Sequence, residues 1–246
     1  MPTIARLLHS PVKGLKLVER ATLEIGSAGA LYDRCFFLVN DQGVLVNSAR
    51  HPALCLAQAD YDGQVLTVHL PDGSAVSGPN PLLGDPIDLD WEAGDHVSGH
   101  IVEGPWAAAL EPLAGEPVYL ARMQVGRGGW SGSAVSLIGD ASISELGHGP
   151  LDARRFRMLI QIEGGDPFEE DTWIGSEITI GSTILAVRSS CPRCVVTTRN
   201  PDTGLRDIDA IRAMISARGV GDLGVYCDVV QAGTISVGDE IGLVAR

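Results

Sequence analysis

The sequence predicts a mainly β protein with a few helices, laid out in two parts that meet near residue 123. Three observations carry this reading. Thirty Gly and 14 Pro in 246 residues break the chain too often for long helices and favour tight turns. Short β-branched and aromatic runs recur between those breaks, as strands require. One stretch alone, 207–218, spaces its apolar residues as an amphipathic helix does.

Residues 3–10 read as a strand, ended by the turn Pro11-Val12-Lys13-Gly14. A second strand covers 22–25, and 26–29 is a loop. The continuous apolar run at 31–39, the turn Asn40-Asp41-Gln42-Gly43 and the run at 44–46 form a hairpin with a four-residue loop. Residues 65–70 alternate as a strand before Pro71-Asp72-Gly73. Gly, Pro and Asp dominate 78–104, which predicts irregular loops with one short strand at 87–89. A short helix at 105–113 and a strand at 118–122 complete the first part, 1–122.

The second part, 123–246, opens with a glycine loop at 126–133. It matches neither a Walker A loop nor the dinucleotide fingerprint and reads as a lid or plain loop. A strand at 134–138 leads to a short helix at 140–146, capped by Asp140 or Ser142. Arg154, Arg155 and Arg157 precede a strand that runs to residue 162. A hairpin at 177–180 and 183–187 turns on Gly181-Ser182. The helix at 207–218 takes Asp207 as cap, Ile208, Ile211 and Ile215 as its apolar face, and Gly219 as stop. Strands at 226–230, 234–237 and 241–244 come after it.

A net charge of −13 argues against a nucleic-acid partner, since phosphate contacts need surplus Lys and Arg. It leaves room for a small anionic ligand held by a few local cations. No apolar stretch approaches the roughly 20 residues of a membrane span, and the chain opens without a basic, apolar leader. Five Cys without the spacing of a secreted scaffold imply reduced thiols. The expectation is a cytoplasmic protein without a membrane partner.

The chemistry concentrates in Cys191-Pro192-Arg193-Cys194, followed by Val195, Val196, Thr197, Thr198 and the turn Asn200-Pro201-Asp202-Thr203-Gly204. Val195 and Val196 predict a buried strand, with a thiol at its mouth. Arg188, Arg193 and Arg199 lie close in sequence, and nearby cations favour the thiolate, the form that binds metals or attacks electrophiles. Half a zinc site is one alternative, but no second Cys or His pair stands at a matching spacing. A thioredoxin-type pair needs a helix directly after it. Cys35 and Cys55 read as small buried hydrophobes.

This segment resembles the active-site segment of the MOSC proteins, and above all that of the two-part, amidoxime-reducing members. Their Cys-x-Arg-Cys, paired Thr and Pro-x-Thr-Gly turn stand here as Cys191, Arg193, Cys194, Thr197, Thr198, Pro201, Asp202, Thr203 and Gly204, with Asn200 where an Asp is usual. The resemblance implies a β-barrel MOSC domain at 123–246, preceded by a β-barrel-like MOSC N-terminal domain at 1–122. It makes Cys194 the thiolate ligand of molybdenum and the catalytic residue, in molybdenum cofactor (molybdopterin). It assigns cofactor contacts to Lys13, Gly14 (where the family has Ser), Arg34, Ser142, Arg157, Arg193 and Thr197. Met158-Leu159 replaces the Pro-Asn that comes after the family's Phe-Arg. Residues 168–173 match its acidic turn before Trp, read as positioning or solvated carboxylates. The family is also associated with pyridoxal phosphate binding.

The implied function is reduction of N-oxygenated or similar small-molecule substrates. The chain shows no flavin or iron–sulfur motif, so a separate flavin or iron–sulfur reductase is the expected electron donor. Two rivals stand beside it: a sulfur-transfer or carbon–sulfur lyase enzyme with a Cys194 persulfide, and a non-enzymatic carrier of the cofactor.

Overall fold

The computed structural model describes residues 1–79, 82–90, 96–123, 133–149 and 151–244. Those residues are mostly strands, with three α-helices, Trp106–Ala114, Asp140–Ser144 and Ala210–Arg218. None of the described helices is long and apolar enough to cross a membrane.

The largest sheet has eight strands, in the order Ile241–Leu243, Glu177–Ile180, Thr183–Pro192, Asp222–Gln231, Val135–Gly139, Ile160–Glu163, Thr3–His9 and Val18–Arg20. Its first-part members come from the start of the chain. Thr3–His9 lies antiparallel to Ile160–Glu163, and in a separate three-stranded sheet Thr22–Gly26 pairs with Gly233–Ser236. Ile4 and Leu7 accordingly share one buried core with Leu137, Ile160, Leu185 and Val225. Each such side chain taken out of water contributes roughly 1.5–3 kcal/mol, which holds the chain start in the far sheet.

The rest of the first part has its own core. A five-stranded sheet runs Leu82–Asp90, His96–Glu103, Tyr119–Met123, Phe36–Val39 and Leu45–Val46, beside a three-stranded sheet of Gln58–Tyr61, Val65–His69 and Ala75–Pro79. Phe36, Leu54, Leu66, Trp106 and Leu110 fill the space between them. Trp106 Nε1 donates to the Leu66 carbonyl at 2.9 Å, so the buried indole keeps its hydrogen bond.

The turn at Pro11–Gly14 joins these two bodies. Phe36 N donates to the Pro11 carbonyl at 2.9 Å and Lys13 N to the Phe36 carbonyl at 2.8 Å. Residues just before the turn sit in the eight-stranded sheet, and those just after it pack into the first-part core. Lys13 therefore stands at the junction.

Several elements differ from expectation. Within 31–39 only Phe36–Val39 is strand. Tyr32 and Arg34 have φ of 62° and 49°, so the chain turns there instead of extending. Residues 78–104 hold strands as well as loops. Leu82–Asp90 and His96–Glu103 pair antiparallel, with a register shift between Leu83 and Pro86. Proline is tolerated there because the strand is the sheet edge and the irregularity removes the need for its N–H. The helix predicted from 207 starts at Ala210, with Asp209 as its cap accepting from Arg212 N at 3.1 Å. Its buried residues are Ala210, Ala213 and Met214, while Ile215 is exposed. Gly219 ends it at φ 77°, as predicted. The glycine loop expected at 126–133 lies outside the described residues except for Ser133.

Candidate functional site

The strand Thr183–Pro192 carries register shifts towards its end, at Val187/Ser189 and Ser190/Pro192. Irregular pairing of this kind bends a strand and re-aims the residues beyond it. Cys191 is buried, and three residues later Cys194 is exposed; Cys35 is intermediate, and Cys55 and Cys227 are buried.

The strand expected at Val195 and Val196 is instead a 3-10 turn, Val195–Thr198. The two threonines account for the difference. Thr197 Oγ1 donates to the Cys194 carbonyl at 3.0 Å, and Thr198 Oγ1 to the Val195 carbonyl at 2.7 Å. Such local side-chain bonds satisfy carbonyls that a strand would offer to a neighbour. Thr197 thus holds the backbone of Cys194. The turn at 200–204 forms as expected: Gly204 N donates to the Asn200 carbonyl at 2.8 Å and Asp202 N to Asn200 Oδ1 at 2.9 Å. Gly204 is required, since φ is 71° and a Cβ would stand 2.7 Å from the Pro52 carbonyl.

Two cations, Lys13 and Arg157, interact with Cys194 from distant parts of the sequence, and Arg34 lies beside them. Asp33, buried, accepts from Ser10 N at 2.9 Å and pairs with Arg34 Nη1. Arg34 Nη2 donates to the Arg157 carbonyl at 2.7 Å. Arg157 has φ 53°, and its Nη2 donates to the Leu15 carbonyl at 2.7 Å. Burial, then repulsion from Arg34 and Arg157, pulls the Lys13 ammonium down to about 7, while Cys194 and Asp33 act the other way. Burial and Arg34 likewise bring Arg157 down to about 10, against the opposing pull of Cys55, Asp33 and Cys194. Lys13 and Arg157 therefore lie within electrostatic reach of Cys194, with Arg34 adjoining both of them.

The arginines nearest Cys194 in sequence are engaged elsewhere. Arg188 pairs with Asp228 at 2.5 Å. Arg199 donates to the carbonyls of Gly204 at 3.1 Å and Ala49 at 3.0 Å. Arg193 donates to protein acceptors around Phe156, Met158 and Cys191. Of the arginine run, Arg154 is held by Asp152 and Asp202, and Arg155 by Asp207 at 2.7 and 2.6 Å. A cleft beside Arg157 is lined by Lys16, Cys55, Arg155, Val196 and Arg199.

Gly14 and Ser142 complete the predicted set. Gly14 has φ 91°, and a Cβ there would lie 3.2 Å from Asn47 Cα and from Ser48 N, which accounts for the loss of the family's Ser. Ser142 belongs to a separate buried knot. Its Oγ donates to Glu170 Oε2 at 2.7 Å and accepts from Phe168 N at 2.8 Å. Neither Ser142 nor Asp140 caps the short helix, whose N-cap is Gly139 without a side-chain bond. Gly139 N instead donates to Glu170 Oε1 at 3.0 Å. Burial pushes the Glu170 carboxyl above its ordinary range. Glu170 is the positioning residue of the acidic turn, and nothing in that run of acids marks it out from Glu169 or Asp171.

An exposed thiol with partly buried cations nearby does not by itself name a family, but both ends of the chain match family models. Residues 1–85 match the MOSC N-terminal beta barrel domain and residues 129–242 the MOSC domain. The chain belongs to the MOSC family. It is 26% identical to Mitochondrial amidoxime reducing component 2 of Macaca fascicularis, over 97% of this chain and 82% of that protein. It is also 26% identical to Molybdenum cofactor sulfurase of Danio rerio, over 91% of this chain. The match spans 31% of the sulfurase's length. Among solved structures, the YUAD protein from Bacillus subtilis aligns over 98% of this chain and 94% of its own, with 12% identity and a TM-score of 0.47.

Proposed function

We propose that this chain binds molybdenum cofactor through the Cys194 thiolate and reduces N-oxygenated or similar small substrates, with electrons from a separate flavin or iron–sulfur reductase. The observation that carries the proposal is the charge balance around Cys194. Lys13 and Arg157 are depressed by burial and by repulsion from Arg34, inside a chain of net charge −13. A phosphate-bearing anion with a soft metal fits such a site, because it relieves the repulsion and offers sulfur its preferred partner. When bound, the cofactor supplies two-electron oxygen-atom chemistry.

The chain's own residues bind and orient. Cys194 offers the thiolate, Lys13 and Arg157 bind the anion, and the Gly14 N–H donates to it. Arg34 stays on Asp33 and the Arg157 carbonyl, so its part is to fix the others. The names of the relatives support the cofactor class.

The test is protein made in a cofactor-producing host. Molybdenum and released pterin should accompany the wild type and be lost in Cys194→Ser. Turnover of an amidoxime should appear with reduced viologen or an added reductase and stay near background with NADH alone. The likeness to the sulfurase supports a second reading, sulfur transfer through a Cys194 persulfide. Transfer of the outer persulfide sulfur from Cys194 to added cyanide, giving thiocyanate and the free thiolate without molybdenum, would select it, and bound cofactor without any turnover would select a carrier.

A further inference from the structure

We infer that Arg193 is a positioning residue that fixes Arg157 beside the Cys194 thiol. Three of its donors are taken by the chain, while its buried Nε has no hydrogen-bond partner. Nη1 donates to Met158 Sδ at 2.9 Å and to Cys191 Sγ at 2.8 Å, and Nη2 donates to the Phe156 carbonyl. The guanidinium also lies over the Phe156 ring, 5.6 Å from its centroid. Its own N–H donates to the Gly221 carbonyl at 3.1 Å, which ties the thiol segment down from a third side.

These acceptors sit on either side of Arg157. That residue has φ 53°, a left-handed conformation that a side chain disfavours and that neighbours must impose. Arg193 grips the residues before and after it, while Arg34 Nη2 holds its carbonyl. The guanidinium of Arg157 then points towards Leu15 and interacts electrostatically with Cys194. One covalent step separates Arg193 from Cys194, so the same side chain sets the thiol and the cation relative to each other. Met158 stands where the family has Pro, and its sulfur supplies one of the acceptors. The inference rests on the proposed function only for the identity of the anion that thiol and cation hold.

A planar fork is needed to reach three acceptors on different atoms, and a lysine ammonium cannot reproduce it. The experiment compares alkylation of Cys194 by iodoacetate and by iodoacetamide, read at that residue by mass spectrometry, on protein free of cofactor. The ratio of the two rates reports the positive charge at the thiol. Arg157→Gln should lower it about threefold, the size of one partly exposed charge interaction. Arg193→Lys keeps the formal charge, yet should lower it about as much, and the double variant should fall no further. An unchanged ratio in Arg193→Lys, or additive losses in the double variant, would overturn the inference. Should Arg193→Lys fail to fold, Met158→Leu removes one acceptor at nearly constant volume. A lowered ratio there supports the inference, and an unchanged one overturns it. Molybdenum content is measured separately: its absence from wild-type protein would sink the proposed function and leave this comparison standing.

Discussion

Arg34 Nη2 donates to the Arg157 carbonyl at 2.7 Å, joining residues 123 positions apart. Both have positive φ, at 49° and 53°. Each backbone is costly by itself: Asp33 holds the Arg34 guanidinium, and Arg34 in turn holds the Arg157 carbonyl. The result brings Lys13, Arg157 and Cys194 together at the junction of the two β bodies.

The two thiols of the motif should separate in their behaviour. Cys194→Ser should lose bound molybdenum and activity, because a hydroxyl is a poor soft ligand. Cys191→Ser should keep the metal but lose roughly 1–3 kcal/mol of stability, since a buried sulfur facing Arg193 becomes a shorter, more polar group. Metal analysis and urea unfolding of both variants check this. In the native protein a neutral alkylating reagent should reach Cys194 well before Cys191 or Cys227.

Lys13 makes stability depend on pH with a definite sign. Its ordinary value is 10.5, and the fold lowers it to about 7. Between those values the unfolded chain holds a proton that the folded chain has released, so stability rises with pH across that window. Below about pH 7 the full cost of the crowded charge is present. Lys13→Met should raise the Tm of cofactor-free protein by a few degrees at acid pH, with the gain fading as pH climbs towards 10.5. A gain that grows with pH would contradict the crowding.

Restoring the family's serine should not restore a contact. Gly14→Ser forces a side chain onto φ 91°, with its Cβ 3.2 Å from the Asn47 and Ser48 backbone. The expected loss is about 1–2 kcal/mol, without a gain in molybdenum content. Thermal unfolding and metal analysis of one preparation decide it.

Glu170→Gln leaves one oxygen to accept from Gly139 N or Ser142 Oγ and sets an amide N–H₂ against the other. The expected cost is about 1–3 kcal/mol, because a buried donor is left facing another. Equal stability of wild type and variant near neutral pH would mean that the carboxyl is already protonated there.

Much of the architecture was legible in the residues. Gly and Pro marked the turns, and β-branched runs located most strands, because both signals act within a few residues. The family resemblance singled out Lys13, Arg34 and Arg157 at three separate places, and the three interact with one another in the fold. The same local signals misread Val195 and Val196, whose apolar character says strand while the hydroxyls of Thr197 and Thr198 close a turn. Nor do they show that Cys191 is buried and Cys194 exposed, or that Glu170 is enclosed while its acidic neighbour Glu169 is not in that knot. Arg188, Arg193 and Arg199 stand nearest the thiol in sequence, yet bind Asp228 and the chain's own carbonyls and sulfurs. Periodicity and turn chemistry are properties of a short segment, so the sequence carries them openly. Burial, the pairing of Thr3–His9 with the distant strand Ile160–Glu163, and the meeting of charges depend on which remote segments come together, and that is settled when the whole chain packs.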